Sequence, residues 1–407
     1  MKTAITKFID SNLDTIIELE TLLSSIPAIS PLSGGEGEYR KAHALEKWLR
    51  DRGFENFEYI NAPDAKASHG VRPSLILTIP GEKDDRTIWI ISHVDVVPPG
   101  DLSLWHSDPY KVVVRDGRLY GRGVEDNQHG IVSSVMAALA LKENDLIPEY
   151  TVKLMFIADE EIGSVYGLNY ILREYPDMFR KEDLILIPDS GSSDGTEIEI
   201  AEKSMLWLKF TTRGVQCHAS MPALGKNAMV AASRLILNLA ELENEFKVYQ
   251  DALFDPPYST FAPTKKENNI PNVNTIPGED IFYLDCRILP SVDIESVFQR
   301  INDICVHVEQ KYGVSITITT VQKSVSKATD KDCQIVSRLK KAITAVTGKE
   351  VRLIGIGGGT VAAYLRNKGI NAAVWSTIDE TCHMPDENTT IESLAVDAKV
   401  MAHLMLE

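Results

Sequence analysis

Cysteine is scarce in this 407-residue chain. The five present, Cys217, Cys286, Cys305, Cys333 and Cys382, are widely spaced and form no CxxC pair. An odd, scattered set argues against a disulfide framework and against a thiolate zinc site, and it suits a reducing compartment. Long apolar runs are missing as well: nothing approaches eighteen consecutive apolar residues, so no membrane span is expected. The opening stretch MKTAITKFIDSNLDTIIELETLL is acidic and amphipathic, with neither the continuous apolar segment nor the small-residue cleavage site of a secretion signal. The expectation is therefore a cytoplasmic protein. Positive charge is in deficit, with 42 Lys and Arg against 58 Asp and Glu, a net charge of -16. Such a surface repels nucleic acid and anionic lipid, and neither is expected as a partner.

What is present is an ordinary globular composition, 44% hydrophobic and 25% charged, in a chain longer than one core usually spans. Helical patterns at 4–25 and 39–52 precede short, β-branched, nearly all-apolar runs at 74–78, 87–91, 152–157 and 184–187. Strands buried on both faces read this way, so the spacing predicts a mixed or parallel sheet covered by helices. From 203 to 322 the texture changes to the order β-α-β-β-α-β, with strands at 205–212, 272–276, 281–288 and 314–320. That is the order of a ferredoxin-like domain. The expected organisation is a larger α/β domain formed by 1–202 and 323–407, with 203–322 inserted into it. In the last segment a helix near 331–347 stops at Gly348, and a capping box, Thr389-x-x-Glu392, opens the final helix.

In open α/β sheets, ligands gather beyond the carboxyl ends of the strands. Here those ends carry chemistry. Ser92-His93-Val94-Asp95 follows one apolar run, Asp159-Glu160-Glu161 a second, Asp189 a third, and Cys382-His383-Met384-Pro385-Asp386-Glu387 the last. Gly121-Arg122-Gly123-Val124-Glu125-Asp126 lies between the first two. Carboxylates gathered on one rim without a cation raise one another's pKa and cost stability. Imidazole nitrogen with carboxylate oxygen and no thiolate suits zinc, cobalt or manganese better than magnesium or calcium. Two histidines and at least three acids suffice for two ions about 3.5–4 Å apart.

Four of these motifs together resemble the M20 metallopeptidases and deacylases: H-V-D-V-V-P at 93–98, G-R-G-x-x-D at 121–126, E-E-x-G at 160–163 and H-x-P-x-E at 383–387. The likeness spans essentially the whole chain, and it implies that 1–202 and 323–407 form a metallohydrolase domain with a mixed sheet and that 203–322 is its lid and dimerisation domain. It implies that two divalent metal ions, zinc in the first place, are held by His93, Asp126, Glu161, Asp189 and His383, with Asp126 bridging. It implies Glu160 as the general base and Asp95 as the partner that orients His93. In the inserted domain, Gly214-x-x-x-His218-Ala-Ser-x-Pro222 is similar to the family segment whose histidine crosses a dimer interface to stabilise the oxyanion in the partner's site. Asn274 and Arg287 resemble residues that hold a substrate carboxylate, a task for which a guanidinium fork is well shaped. The glycine run centred on Gly358 offers backbone N–H groups at a helix start.

The sequence departs from the family pattern at Ser92 (usually Gly), at Asp126-Asn-Gln-His-Gly130 (no Lys, one residue longer) and at Asp386 (usually Asn). No ligand is lost. Within the resemblance, Asp at the position of Asp189 goes with dipeptidases and aminopeptidases, and Glu goes with deacylases. The expected substrate is therefore a dipeptide or short peptide with a free carboxylate. An N-acyl amino acid, as for succinyl-diaminopimelate desuccinylase or acetylornithine deacetylase, is the alternative, and a non-catalytic binding protein on the same fold is the reading from another class.

Overall fold

The computed structural model describes residues 2–406. Its contacts divide the chain into two units, one built from residues up to Ile200, Thr329–Leu353 and 360 onward, the other from Ala201–Ala328 and Ile354–Gly359.

The first unit is a helix-covered mixed sheet. Strand order, edge to edge, is Phe57–Pro63, Val71–Ile79, Tyr150–Ile157, Lys83–His93, Leu184–Gly191, Ala372–Ser376, Glu197–Glu202 and Arg352–Ile356. The central four strands are parallel where they pair, and His93 stands opposite Ile157. Their residues alternate between two covered faces, which is why the runs read as apolar throughout. Trp89, Ile91, Met155, Ile157, Ile185 and Ile187 pack on one face with Ile171 and Leu365. The helix Gln128–Lys142 packs against the same strands. All of its residues but the last are buried, and it is accordingly hydrophobic on every side.

The pattern at 4–25 is two helices, Lys2–Asp10 and Leu13–Ser24. The break falls at Asn12, whose side chain donates to Phe8 O at 2.7 Å and closes the first helix. The final helix, Ile391–Leu406, starts one residue later than the expected box allows. Thr390 Oγ1, rather than Thr389, accepts the Ser393 N–H at 2.9 Å, and Thr389 belongs to the short strand Asn388–Thr390. The helix Gln334–Thr347 ends on Gly348 with φ 70°, a left-handed cap that glycine adopts without strain.

The second unit is a four-stranded antiparallel sheet in the order Thr260–Lys266, Glu279–Ile288, Ser204–Arg213, Ser315–Ser324. With the helices Ala228–Ala240 and Ile294–Tyr312 this is the ferredoxin-like arrangement. One expected strand is corrected. The segment 272–276 contributes only Thr275–Ile276, paired with Cys217–His218. The sheet position belongs instead to Thr260–Lys266, an edge strand exposed along all but its first two residues. Its Pro and Lys residues are what edge strands carry to discourage further pairing, and they hide it from a search for apolar runs.

All five cysteines are free thiols. Among the described residues, no helix is long and apolar enough to cross a membrane.

Candidate dinuclear metal site

The parallel strands all end at one rim of the first unit, and there the structure brings together seven of the residues singled out from the sequence. His93 is the last residue of its strand; Glu160 and Glu161 follow the strand ending at Ile157; Asp189 lies near the end of its own strand; and His383 follows Ala372–Ser376 on a loop. Two groups of ligand atoms form, His93 with Asp126 and Asp189, and Asp126 with Glu161 and His383. Asp126 belongs to both. Its Oδ1 lies 2.8 Å from His93 Nε2 and its Oδ2 3.1 Å from His383 Nε2. Asp189 Oδ1 is 3.4 Å from His93 Nε2, and Glu161 Oε2 is 3.0 Å from His383 Nε2. Each group therefore offers one imidazole nitrogen, one carboxylate of its own and one oxygen of a shared carboxylate. That donor set fits a pair of borderline divalent cations.

The electrostatics agree. Burial opposes charge on His93, but hydrogen bonds with Asp126, Asp189 and Asp95 outweigh it and raise its pKa well above the ordinary value. Contacts with Asp126 and Glu161 push His383 up to about 10. Burial works to raise Asp126, yet the two imidazoles hold it well below the usual carboxylate range. Glu160 is driven well above that range, by burial first and then by the charge of Asp189. Crowded acids held together by positive charge are what a cation site requires. Cys382 belongs to neither group of ligand atoms, and burial pushes its thiol up to about 12.

Asp95 does more than orient a ring. Its backbone carbonyl lies 3.1 Å and its Oδ1 3.5 Å from His93 Nδ1, which leaves Nε2 free to face Asp126. Its two carboxylate oxygens also accept the backbone N–H groups of Glu160 and Glu161, at 3.0 and 3.1 Å.

Several supporting residues carried no signal of their own. Glu387 is fully buried and accepts from Glu125 N, Asp126 N and Gly123 N, each at 3.0 Å, and from Arg122 Nη1 at 2.5 Å. It was legible only as the last letter of a motif. Asn127, in the segment that departs from the family pattern, donates to Asp189 Oδ1 at 2.7 Å and to Pro188 O at 2.6 Å. Asp386, another departure, accepts the His106 backbone N–H at 2.9 Å and pairs with its Nδ1 at 2.5 Å. His129 is a buried structural group between Thr389 and Asp397.

The other four candidates lie in the second unit. His218 Nδ1 accepts the Ser220 N–H at 3.1 Å, so the neutral ring carries its proton on Nε2. Asn274 Oδ1 accepts from Asn272 Nδ2 at 2.7 Å. Arg287 forms a two-point pair with Asp285, at 2.8 and 3.1 Å, and donates to Gly357 O at 2.9 Å. Gly358 stands in open space, and the helix beyond it begins only at Ala362.

A family model described as peptidase family M20/M25/M40 matches residues 89–407. An uncharacterized metallohydrolase of Methanococcus maripaludis is 42% identical over 419 residues, covering 97% of this chain and 99% of that protein. A succinyl-diaminopimelate desuccinylase of Ehrlichia chaffeensis is 30% identical over 305 residues, 74% of this chain and 77% of its own. The solved structure of the aminopeptidase PepT from Bacillus cereus has the same fold, with a TM-score of 0.78 at 21% identity over 97% of this chain and 98% of that one.

Proposed function

Given that the chain belongs to peptidase family M20/M25/M40 and is an amide-bond hydrolase, we propose that it cleaves a dipeptide or short peptide bearing a free carboxylate. The observation that carries the reading is the pair of ligand groups sharing Asp126, with Glu160 buried within reach of the charges of Asp189, His93, Glu161 and Asp126. Two divalent cations held there, zinc or else cobalt or manganese, would polarise the scissile carbonyl and lower the pKa of water. Glu160 then takes a proton from the attacking water and hands it to the leaving nitrogen. Asp95 keeps Glu160 and His93 in register through the backbone contacts described above. In a homodimer formed through the second unit, the partner subunit's His218 would donate from Nε2 to the tetrahedral oxyanion. Asn274 and Arg287 would hold the substrate carboxylate, with Gly358 adding a backbone N–H.

Asp189 favours the peptide reading, by the resemblance set out above. A specific likeness favours the second reading, N-acyl amino acid deacylation: the relative that is 30% identical is a desuccinylase. The test is release of primary amine from a panel of dipeptides and of N-acetyl, N-succinyl and N-formyl amino acids, by protein loaded with zinc or cobalt. Glu160→Gln serves as the blank. Turnover of dipeptides alone supports the proposal; turnover of acyl amino acids alone replaces it with the deacylase. Inactivity on both with metal bound points to an acyl group outside the panel.

A further inference from the structure

Behind the Glu160–Glu161 turn lies a buried ion cluster on which the mechanism so far makes no demand. Arg72, in the strand Val71–Ile79, is fully buried. Its Nε donates to Glu38 Oε2 at 2.5 Å, and its Nη2 meets Glu38 Oε1 in a second short contact. The same Nη2 lies 3.1 Å from Asp159 Oδ1, and Nη1 lies 3.6 Å from Asp64 Oδ2. One guanidinium thus faces three carboxylates, all 5% exposed or less at the side chain. Gly37, which precedes Glu38, has φ 86°, a left-handed conformation that glycine adopts without strain.

Asp159 connects this cluster to the chemistry. It immediately precedes Glu160 and has φ 62°, a left-handed conformation that a non-glycine residue keeps only when its surroundings hold it. Four contacts do so. Glu38 Oε1 accepts the Asp159 N–H at 3.3 Å, Asp159 O accepts the Ser164 N–H at 2.6 Å, Asp159 Oδ2 accepts the Tyr166 N–H at 2.9 Å, and Arg72 faces Oδ1. With the two bonds to Asp95, three consecutive amides, of Asp159, Glu160 and Glu161, are each accepted by a buried carboxylate. Glu38 does for the first what Asp95 does for the next two.

We propose that Glu38 and Arg72 are positioning residues that set the backbone of the 159–161 turn, and through it the aim of Glu160 and the ligand oxygen of Glu161. This rests on the reading of Glu160 as base and Glu161 as ligand. Neither proposed residue meets substrate or metal. Arg72 fixes the Glu38 carboxylate by two-point geometry that lysine cannot reproduce. Glu38 then presents Oε1 to Asp159 N–H, while Arg72 anchors the Asp159 side chain directly.

The test uses full-length Arg72→Lys and Glu38→Gln proteins, with three readouts. Metal affinity is measured by competition with a chromophoric chelator, kcat and KM on whichever substrate the wild type turns over, and amide hydrogen exchange across 159–161. Altered partners of ligand-bearing groups typically cost about 10–100-fold in metal affinity or activity. The expected result is weakening of that size for one of two ions, a comparable fall in kcat, and KM within about twofold of wild type. Exchange at Asp159, Glu160 and Glu161 should accelerate together. A folded variant with metal affinity, kcat and exchange all within about twofold of wild type overturns the proposal while leaving the hydrolase reading intact. A wild type that turns over nothing removes the kcat readout, and affinity and exchange then decide the positioning role alone. Should neither variant fold, the wild-type exchange pattern still decides: the three amides must be slow and exchange at one common rate, and exchange of the Asp159 amide at loop rates overturns the proposal.

Discussion

The carboxylate of Glu387 accepts the backbone N–H of Asp126 at 3.0 Å. The loop that supplies His383 thereby also fixes the loop that supplies the carboxylate shared between the two ligand groups. Both ends of the Glu387 carboxylate are engaged, one on Glu125 and Asp126, the other on Gly123 and Arg122.

Replacing Glu387 should therefore damage stability and metal binding together. Alanine leaves the Arg122 guanidinium buried and unpaired, a loss of about 3–5 kcal/mol. Glutamine keeps one acceptor but turns an N–H₂ group toward donors, and it should weaken metal affinity by about 10–100-fold. Thermal melts and chelator competition on both variants check this; a Glu387→Ala protein that melts like wild type would show that the carboxylate carries no such burden.

Metal binding should release protons. In the stripped protein the carboxylates raise both imidazoles, His383 to about 10. Those folded values lie above the unfolded 6.5. The stability from these pairs is therefore fully present below about pH 6.5 and lost as pH rises through the folded values. A metal needs neutral nitrogen, so at pH 7 loading both sites should expel about one proton from each histidine, with a further share from the raised carboxyls of Glu160 and Glu161. Calorimetric titration in buffers of different ionisation enthalpy reads the number directly. Identical heats in both buffers would mean that both imidazoles are already neutral at pH 7 before the metal binds.

How much of this was legible in the sequence follows from the same residues. His93, Glu160, Glu161 and Asp189 each sit at the end of an apolar strand, and strand ends can be read from hydrophobic runs. Their supports cannot: Glu38 and Arg72 are 34 residues apart in sequence, and Glu387 is 261 from Asp126. Nothing local marks such pairs, since folding alone sets their spacing. The edge strand Thr260–Lys266 escaped because exposure removes the apolar alternation that marks a strand. Arg287 shows the same limit: its residue type can be read from the sequence, and its two-point pair with Asp285 on its own strand cannot.

Glu20 should make stability fall with rising pH. Both of its carboxylate oxygens are buried without a hydrogen-bond partner, and burial, followed by the charge of Glu387, raises its pKa well above 4.5. A raised folded pKa means that the stabilising contribution is whole below about pH 4.5 and is lost as pH climbs through the folded value. Glutamine does not titrate, so the advantage of Glu20→Gln over wild type should be small near pH 5 and grow toward pH 8. A buried unsatisfied group costs about 1–3 kcal/mol, and each kcal/mol moves Tm by roughly 2–4 °C in domains of about 150–250 residues. Parallel Tm curves for the two proteins between pH 5 and 8 would show that Glu20 keeps the same charge in the folded and unfolded chain.

Glu160→Gln separates chemistry from assembly. The Glu160 side chain belongs to neither ligand group, and its backbone N–H, the part that Asp95 holds, survives the substitution. Metal content and melting temperature should therefore stay at wild-type values or rise slightly, because an acid crowded by Asp189, Glu161 and Asp126 has been neutralised. Turnover should fall by about 10²–10⁴-fold, the range for loss of a general base, and the fall should sit in kcat rather than KM, since the amide keeps the shape of the acid. Metal analysis and steady-state kinetics on one preparation are enough. Full activity would exclude Glu160 as the base, and metal loss at unchanged fold would move it into the ligand set.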